Sequence, residues 1–342
     1  MKCAYCALHS RAGSTADARD DYVKRLTAAV AKAPEDLVFK TVYFGGGTPA
    51  LCNLEPLFEA LAPRVASGTE WTVELNPLDV DKNLLQRLNS GGVNRISMGV
   101  QSLDDAVLAA MKRGYTFTEA EKAFYLIKEY FDNAGIDLIV GYPGETSALL
   151  PRHARLAKWN LKHCSAYSLI VEENTLISRR LNEGTLTVPD DDTVMNRLGI
   201  VASFLEDIGL KRYEVSNYSK PGFECRHNLA VWQGEDYFGL GEGASGRIGL
   251  LRTHDLMTLD PAGTVGGVES VSEEHDRKER FLFTLRTRFG LDTSKLASTD
   301  RDRVIEVLNR SLAGGLAEKD GDTYHLSARG LEVCDSVLAE LI

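Results

Sequence analysis

Short apolar segments alternate with helical segments over the first half of the chain, and no other feature constrains the fold as strongly. The apolar segments cover residues 41–44, 71–75, 95–100, 136–140 and 165–171. Between them, the segments 54–65, 103–111 and 117–131 have apolar residues at helical spacing. This order predicts a parallel α/β sheet or barrel, in which ligands bind at the carboxyl ends of the strands.

The sequence GGGTP at residues 45–49 directly follows the first of these predicted strands. Consecutive glycines remove the side chains from a strand end and expose backbone N–H and C=O groups to a ligand. A phosphate-binding loop is one alternative, but the lysine of a GxxxxGK[ST] motif is absent. A tight turn is the other, and a single glycine would satisfy it. The motif therefore favours a ligand site at this strand end.

The alternation ends near residue 212. Residues 213–249 are rich in Gly, Tyr, Asn and Trp and show little helical period, whereas helical patterns return from Glu273. The last part predicts a helix at 303–313, a hairpin at 316–326 and a final helix that Ser327 caps and that ends at Ile342. We divide the chain into a barrel (1–212), a loop-rich region (213–272) and a winged-helix-like domain (273–342). For this last domain we expect a role in packing. DNA binding is the alternative, and the acidic charge of the chain argues against it.

Charge and hydropathy exclude several classes of protein. The chain has 39 Lys and Arg against 49 Asp and Glu, which gives a net charge of −10. A general nucleic-acid binder needs a basic surface, so we expect no nucleic-acid partner. No apolar run approaches the ~20 residues of a membrane span. The amino end also lacks an apolar signal core, and we therefore expect a cytoplasmic protein.

Cysteine spacing points to a metal. The chain has six cysteines: Cys3, Cys6, Cys52, Cys164, Cys225 and Cys334. In a reducing compartment, such residues are thiols or metal ligands. The CxxC spacing of Cys3 and Cys6 allows both thiolates to bind one metal ion or cluster. A redox pair or two unliganded thiols are the alternatives.

An ordered set of motifs links these features to a family. The motifs are CAYC (3–6), YFGGGTP (43–49), VELNP (73–77), SMGVQS (97–102), GIDLIVGYPGET (135–146) and a long segment at 213–244. Together they resemble the radical S-adenosylmethionine (SAM) family of oxygen-independent coproporphyrinogen III oxidases and HemW-type heme chaperones. The resemblance covers nearly the whole chain. It implies a partial (β/α)6 radical SAM barrel without its first strand, followed by a small C-terminal winged-helix-like α+β domain.

The resemblance also implies the cofactors and their residues. Cys3 and Cys6 would bind a 4Fe–4S cluster. The SAM residues would be Tyr5, Gly46, Gly47, Thr48, Glu74, Gln101, Arg113, Asp137 and Ile170. Asp137 would bind the ribose, and Arg113 suits a carboxylate because its guanidinium pairs in a bidentate fork. A buried salt bridge is the alternative for Glu74 and Asp137.

The family's cluster motif resembles CxxxCxxC, and Cys3 and Cys6 match its second and third cysteines. The first cysteine would lie four residues before Cys3, ahead of Met1. We therefore expect Met1 to be an internal methionine of a start site assigned too late, or the chain to be a fragment. The alternative is a two-cysteine protein that has given up the cluster.

Heme is the third implied ligand. His227 lies in ECRHN (224–228) near Trp232, in the family's HNxxYW region, and histidine is a usual axial ligand of heme iron. The alternative is a structural loop with an internally bonded histidine. The chain departs from the family at Val231, where the motif has Tyr, and at Ser245, where it has His.

Two classes of function remain, a heme chaperone and a coproporphyrinogen III oxidase. The oxidases carry a further cysteine two residues after the last cluster ligand, and Leu8 occupies that position here. We therefore favour the chaperone, which would bind heme and transfer it to an acceptor protein. A degenerate member with neither activity is a third alternative. The sequence identifies neither the acceptor nor the electron donor.

Overall fold

Five parallel strands form the centre of the protein. The computed structural model describes residues 2–8, 13–146, 150–259 and 267–341. The strands are β1 (Phe39–Phe44), β2 (Val65–Leu75), β3 (Arg95–Gln101), β4 (Ala134–Val140) and β5 (His163–Ser168). The short strands β6 (Lys211–Arg212) and β7 (Asn217–Ser219) continue the sheet in the order β1-β2-β3-β4-β5-β7-β6. β7 is antiparallel to β5, and the curled sheet confirms the prediction of a partial barrel.

Helices connect the parallel strands and cover the outer face of the sheet. They are α1 (Ala16–Ala31), α2 (Glu55–Leu61), α3 (Lys82–Ser90), α4 (Asp105–Ala110), α5 (Phe117–Lys128), α6 (Leu150–Leu156), α7 (Leu176–Asn182) and α8 (Asp191–Asp207). Side chains cap the starts of α1, α3, α4, α5, α7 and α8, and Thr116 and Glu119 form a reciprocal capping box at α5. The helices predicted at 54–65, 103–111 and 117–131 are all shorter than these segments. The difference is largest for α2, which ends at Leu61, where a turn with Pro63 leads directly into β2.

The apolar faces of these helices and strands form one large core. In β3 every residue except the last is buried, and the last is partly buried. This is the pattern of a strand covered on both sides. The helix α9 (Arg226–Trp232) packs against β1, the end strand of the sheet in the described part of the chain. Phe238 also meets Phe39 of β1 edge to face, with ring centroids 6.3 Å apart.

The C-terminal part has its own sheets and its own core. Its elements are β8 (Ser245–Ile248), β9 (Leu251–His254), β10 (Gly267–Ser270), α10 (Glu273–Leu285), β11 (Leu291–Asp292), α11 (Ser298–Ala313), β12 (Ala317–Asp320), β13 (Thr323–Leu326), α12 (Ala328–Glu332) and α13 (Cys334–Ala339). A separate apolar cluster includes Phe281, Leu308 and Leu338. The helix followed by a hairpin matches the small α+β unit predicted from the sequence. The exact three-part division of the chain stays a prediction.

The end of the chain differs from the prediction in one respect. Ser327 caps α12, as its Oγ accepts a hydrogen bond from Gly330 N at 3.0 Å. The helix is then interrupted at Val333 and resumes as α13. Ile342, the predicted last helical residue, lies outside the described residues. None of the described helices is long and apolar enough to cross a membrane.

Candidate functional site

A cavity of about 310 Å³ lies inside the curled sheet. Five residues that the family resemblance assigned to SAM line it: Tyr5, Glu74, Gln101, Asp137 and Ile170. They come from the amino-terminal loop, from three neighbouring strands and from the segment after β5. The parallel strands bring them together because their carboxyl ends meet at one edge of the sheet. The cavity opens to solvent beside Ile170, which is 67% exposed.

Glu74 is held at the cavity by β1 and by the glycine loop that follows it. The Tyr43 hydroxyl donates to Glu74 Oε1 at 2.8 Å, and Gly46 N donates to Oε2 at 3.2 Å. Burial and the nearby Asp137 carboxylate raise the pKa of Glu74 to about 7, although both hydrogen bonds oppose this. This carboxyl group therefore takes up a proton at a higher pH than an exposed glutamate does.

Asp137 is the second acidic group of the cavity. The Ser97 hydroxyl lies 3.0 and 3.1 Å from its two carboxylate oxygens and donates to them. Burial raises the pKa of Asp137, while hydrogen bonds from Ser165 and Ser97 oppose the change. Asp137 lines the cavity, and a carboxylate there can accept hydrogen bonds from the hydroxyl groups of a ligand.

Gln101 owes its position to an irregular end of β3. The pairing with β4 shifts register between Gly99 and Gln101, and Gln101 has a positive φ of 68°. A Cβ atom on Gly99 would lie 2.5 Å from Gln101 Nε2, so with another residue at this position the amide would have to shift. The left-handed residue and the adjacent glycine thus direct the amide into the cavity.

Arg113 lies behind the cavity and joins it to the CxxC loop. Its guanidinium donates to Tyr115 Oη at 2.8 Å, to Gly99 O at 3.0 Å and to Cys3 Sγ at 3.1 Å. Arg113 is not itself a lining residue of the cavity. The same side chain therefore fixes both the end of β3 and the first thiol.

The CxxC loop is anchored beside the cavity. Ala4 N donates to Met111 O at 3.0 Å, and Ile177 N donates to Ala4 O at 3.0 Å. Cys3 and Cys6 are both half-buried free thiols. Within the described ranges, no group of three or more His, Cys, Asp or Glu is placed to hold a metal ion. The described loop offers two thiols, the ligand type of iron–sulfur clusters, beside the cavity.

Four other residues assigned from the resemblance do not line the cavity. Gly46, Gly47 and Thr48 lie in the loop after β1, and Gly46 reaches the site only through its hydrogen bond to Glu74. His227 packs on β1, with Nδ1 3.0 Å from Thr41 Oγ1 and its ring centroid 5.1 Å from that of Tyr43. Burial lowers the pKa of His227, which keeps its imidazole neutral at neutral pH.

Trp232 does not share a cavity with His227. It lines a second cavity of about 400 Å³ between α9, α10 and α13. There it meets Phe283 edge to face, with centroids 5.7 Å apart, and the guanidinium of Arg286 lies 5.1 Å from its ring centroid. Trp232, although close to His227 in the sequence, is therefore turned toward the C-terminal helices.

Several polar residues that line the cavity inside the curled sheet were not predicted from the sequence. These are Tyr43, Arg95, Ser97, His163, Ser165, Tyr167 and Asn228. Their spacing could have revealed them. Arg95 and Ser97 are two residues apart on β3, and His163, Ser165 and Tyr167 follow each other at the same spacing on β5. Side chains two apart on a strand point to the same face.

Comparison with known proteins gives consistent results. The model of the radical SAM superfamily matches residues 1–157. The heme chaperone HemW of Mycobacterium tuberculosis is 35% identical over 332 residues, which cover 93% of this chain and 83% of that protein. The heme chaperone HemW of Escherichia coli is 30% identical over 364 residues, which cover 99% of this chain and 94% of that protein.

The fold is also similar to a solved structure. The coproporphyrinogen III oxidase HemN from Escherichia coli, a radical SAM enzyme, superposes with a TM-score of 0.82. The match covers 100% of this chain and 87% of the oxidase chain, at 19% sequence identity. At this identity the likeness shows a shared fold.

Proposed function

The chain belongs to the HemW family of radical SAM proteins, and on this premise we propose that it is a heme chaperone that also binds SAM. The similarity to the HemW chaperones extends over most of both chains and carries the proposal. The amino-terminal CxxC loop and the cavity beside it support a SAM site. Leu8 is exposed where the oxidases carry a further cysteine, so this position gives the oxidase alternative no support.

The residues around the cavity fit SAM chemically. Asp137 would accept hydrogen bonds from the ribose hydroxyls, and Glu74 and Gln101 would bind polar groups of the methionine part. The glycine loop at 45–47 would let the ligand approach the backbone. Tyr5 and Ile170 would cover the ligand from two sides of the opening. Arg113 would hold Cys3 and the end of β3 in place beside the ligand.

Cys3 and Cys6 would be ligands of a 4Fe–4S cluster. When bound, such a cluster supplies an open iron position for SAM and an electron. The Arg113 guanidinium donates a hydrogen bond to Cys3 Sγ and would hold this sulfur in place for the cluster. We place the protein in the cytoplasm, since reducing conditions keep these thiols available.

His227 is the proposed heme ligand. Its Nδ1 is paired with Thr41, which leaves Nε2 as the nitrogen available to iron once Nδ1 carries the proton. The lowered pKa of His227 favours the neutral imidazole that binds metal. Heme would then pass from this site to an acceptor protein.

The test separates the chaperone from the oxidase. Purified protein is titrated with heme and followed by absorbance, and a parallel anaerobic sample receives coproporphyrinogen III and SAM. We expect a Soret band that saturates with heme and no protoporphyrinogen in the second sample. Formation of protoporphyrinogen without heme binding would reverse the assignment.

A further inference from the structure

A row of buried hydrogen bonds begins at Asp137 in the cavity and leads away from it. The Ser165 hydroxyl of β5 is in hydrogen-bonding contact with the Asp137 carboxyl group and donates to Asn217 Oδ1 of β7 at 2.7 Å. Asn217 Nδ2 in turn donates to Glu214 Oε1. Ser165, Asn217 and Glu214 are each 3% exposed or less. The row therefore joins an acidic group of the cavity to a second carboxyl group outside it.

The sheet itself brings the first three residues together. Asp137 is the direct partner of Ser165 in the parallel pair of β4 and β5. Ser165 is the direct partner of Asn217 in the antiparallel pair of β5 and β7. Because directly paired residues point to the same face of a sheet, the three side chains lie side by side across its inner face.

Glu214 sets the orientation of the Asn217 amide. Glu214 Oε1 accepts from Ser216 N at 3.0 Å, and a backbone N–H can only donate. This oxygen is therefore an acceptor, so Asn217 presents its NH2 group to Glu214 and its carbonyl oxygen to Ser165. The Ser165 hydroxyl thus has a fixed acceptor on the side opposite Asp137.

The far end of the row is fixed by the segment that follows α10. Glu214 pairs with Thr287 in an isolated antiparallel bridge. Arg288 N also donates to Tyr213 O at 2.9 Å. These backbone contacts hold Glu214 in place from the C-terminal part of the protein and do not involve the cavity.

Tyr167 completes the row on the side of the cavity. Its hydroxyl hydrogen-bonds with Ser165 and Asn217, and burial raises its pKa, so it remains a donor at neutral pH. Tyr167 and Ser165 line the cavity, whereas Asn217 and Glu214 do not. A buried polar network whose members are paired makes its side chains rigid. The network therefore gives the Asp137 carboxyl group a fixed position at the cavity.

From these contacts we propose that Ser165, Asn217 and Glu214 are positioning residues for Asp137, which hold its carboxyl group where the ribose of SAM binds. The inference rests on the proposed SAM site. It extends that site to Asn217 and Glu214, two residues behind β5 that do not line the cavity.

Calorimetric titration with SAM provides the first test. Asn217→Ala should weaken SAM binding roughly 5- to 10-fold, the effect of losing one buried hydrogen bond. Ser219→Ala is the matched control and should keep the wild-type affinity. Ser219 is also on β7 and is 1% exposed, but its hydroxyl has no hydrogen-bond partner among the described residues.

This titration also separates the inference from the proposed function. Wild-type affinity in Asn217→Ala, together with weakened binding in Asp137→Ala, would contradict the inference and leave the SAM site intact. Absence of SAM binding to the wild-type protein would contradict the proposed SAM site itself.

A double-mutant cycle distinguishes positioning from a general loss of structure. In the Asp137→Ala background, Asn217→Ala should change SAM affinity by less than about twofold, because the group that Asn217 positions is gone. If the double variant instead loses affinity by the product of the two single effects, Asn217 acts independently of Asp137 and the inference is wrong.

Substitutions of Glu214 test whether a conservative change preserves the position. Glu214→Met removes the acceptor of Asn217 Nδ2 and should weaken SAM binding roughly 5- to 10-fold. Glu214→Gln retains a carbonyl oxygen for this bond and should stay within about twofold of the wild type. Both variants nearly keep the side-chain volume, so they decide the question if Asn217→Ala fails to fold. Equal SAM affinities of the Met and Gln variants would overturn the inference.

Discussion

The hydroxyl of Tyr43 on β1 donates a hydrogen bond of 2.8 Å to Glu74 Oε1 on β2. This bond links the strand that carries the glycine loop to the acidic end of the cavity. It lowers the pKa of Glu74 against the stronger opposing effect of burial. The carboxyl group therefore stays close to half-ionised at neutral pH and is sensitive to small changes around it.

Glu74 should make the stability of the protein depend on pH. Its pKa rises from 4.5 to about 7 on folding, so between these values the native state binds more protons than the unfolded state. Stability should fall as pH rises through this window. Glu74→Gln should remove that dependence and reduce the loss between pH 5 and pH 8 by on the order of 2 kcal/mol. Guanidinium denaturation at both pH values measures it, and an unchanged slope would contradict the pKa of Glu74.

Asp137 should contribute directly to SAM affinity. Asp137→Ala removes the proposed ribose contact and should cost about 1.5–3 kcal/mol of SAM binding, as expected for a hydrogen bond to a charged group. Cys225→Ala is the control. It changes a buried thiol that does not line the cavity and should leave SAM binding unchanged. Calorimetric titrations compare the two variants, and equal losses would argue against the division between them.

Gly99→Ala should displace Gln101. The new Cβ atom would lie 2.5 Å from Gln101 Nε2, so this amide must shift from its place at the cavity. We expect SAM affinity to fall about tenfold with little change in heme binding. Gly199→Ala is the matched control, because this helical position of α8 has open space around it. That control should gain up to about 1 kcal/mol of stability. Unchanged SAM binding in Gly99→Ala would remove Gln101 from the site.

His227→Ala should weaken heme binding and leave SAM binding unchanged. The reason is that His227 contacts Thr41 and Tyr43 on β1 and does not line the SAM cavity. His254→Ala, an exposed histidine, is the control. Absorbance titration with heme measures the effect. If the heme spectrum of His227→Ala equals that of the wild type, His227 has a structural role only.

The sequence predicted the strands of the barrel because they are apolar segments of sufficient length with glycine or turn residues at their ends. It also placed Glu74, Gln101 and Asp137 at one cavity, since parallel strands end at a common edge. These predictions needed only local patterns and strand direction.

Other features depended on tertiary contacts that no local pattern contains. β6 and β7 have two and three residues, too few to produce a periodic signal. Arg95 and His163 lie within apolar strands, and only the tertiary structure shows that Arg95 Nε and His163 Nδ1 have no hydrogen-bond partner among the described residues. The orientation of α9, which turns His227 to β1 and Trp232 to α10, is likewise set by packing.

Heme transfer is the measurement that tests the proposed function most directly. The protein is loaded with heme, freed of excess by gel filtration and mixed with the apo form of a heme protein, and the Soret band is followed with time. The proposed function predicts saturable loading and then movement of heme to the acceptor, with less loading in His227→Ala. Absence of loading, or heme that stays on the chain in the presence of excess acceptor, would contradict it.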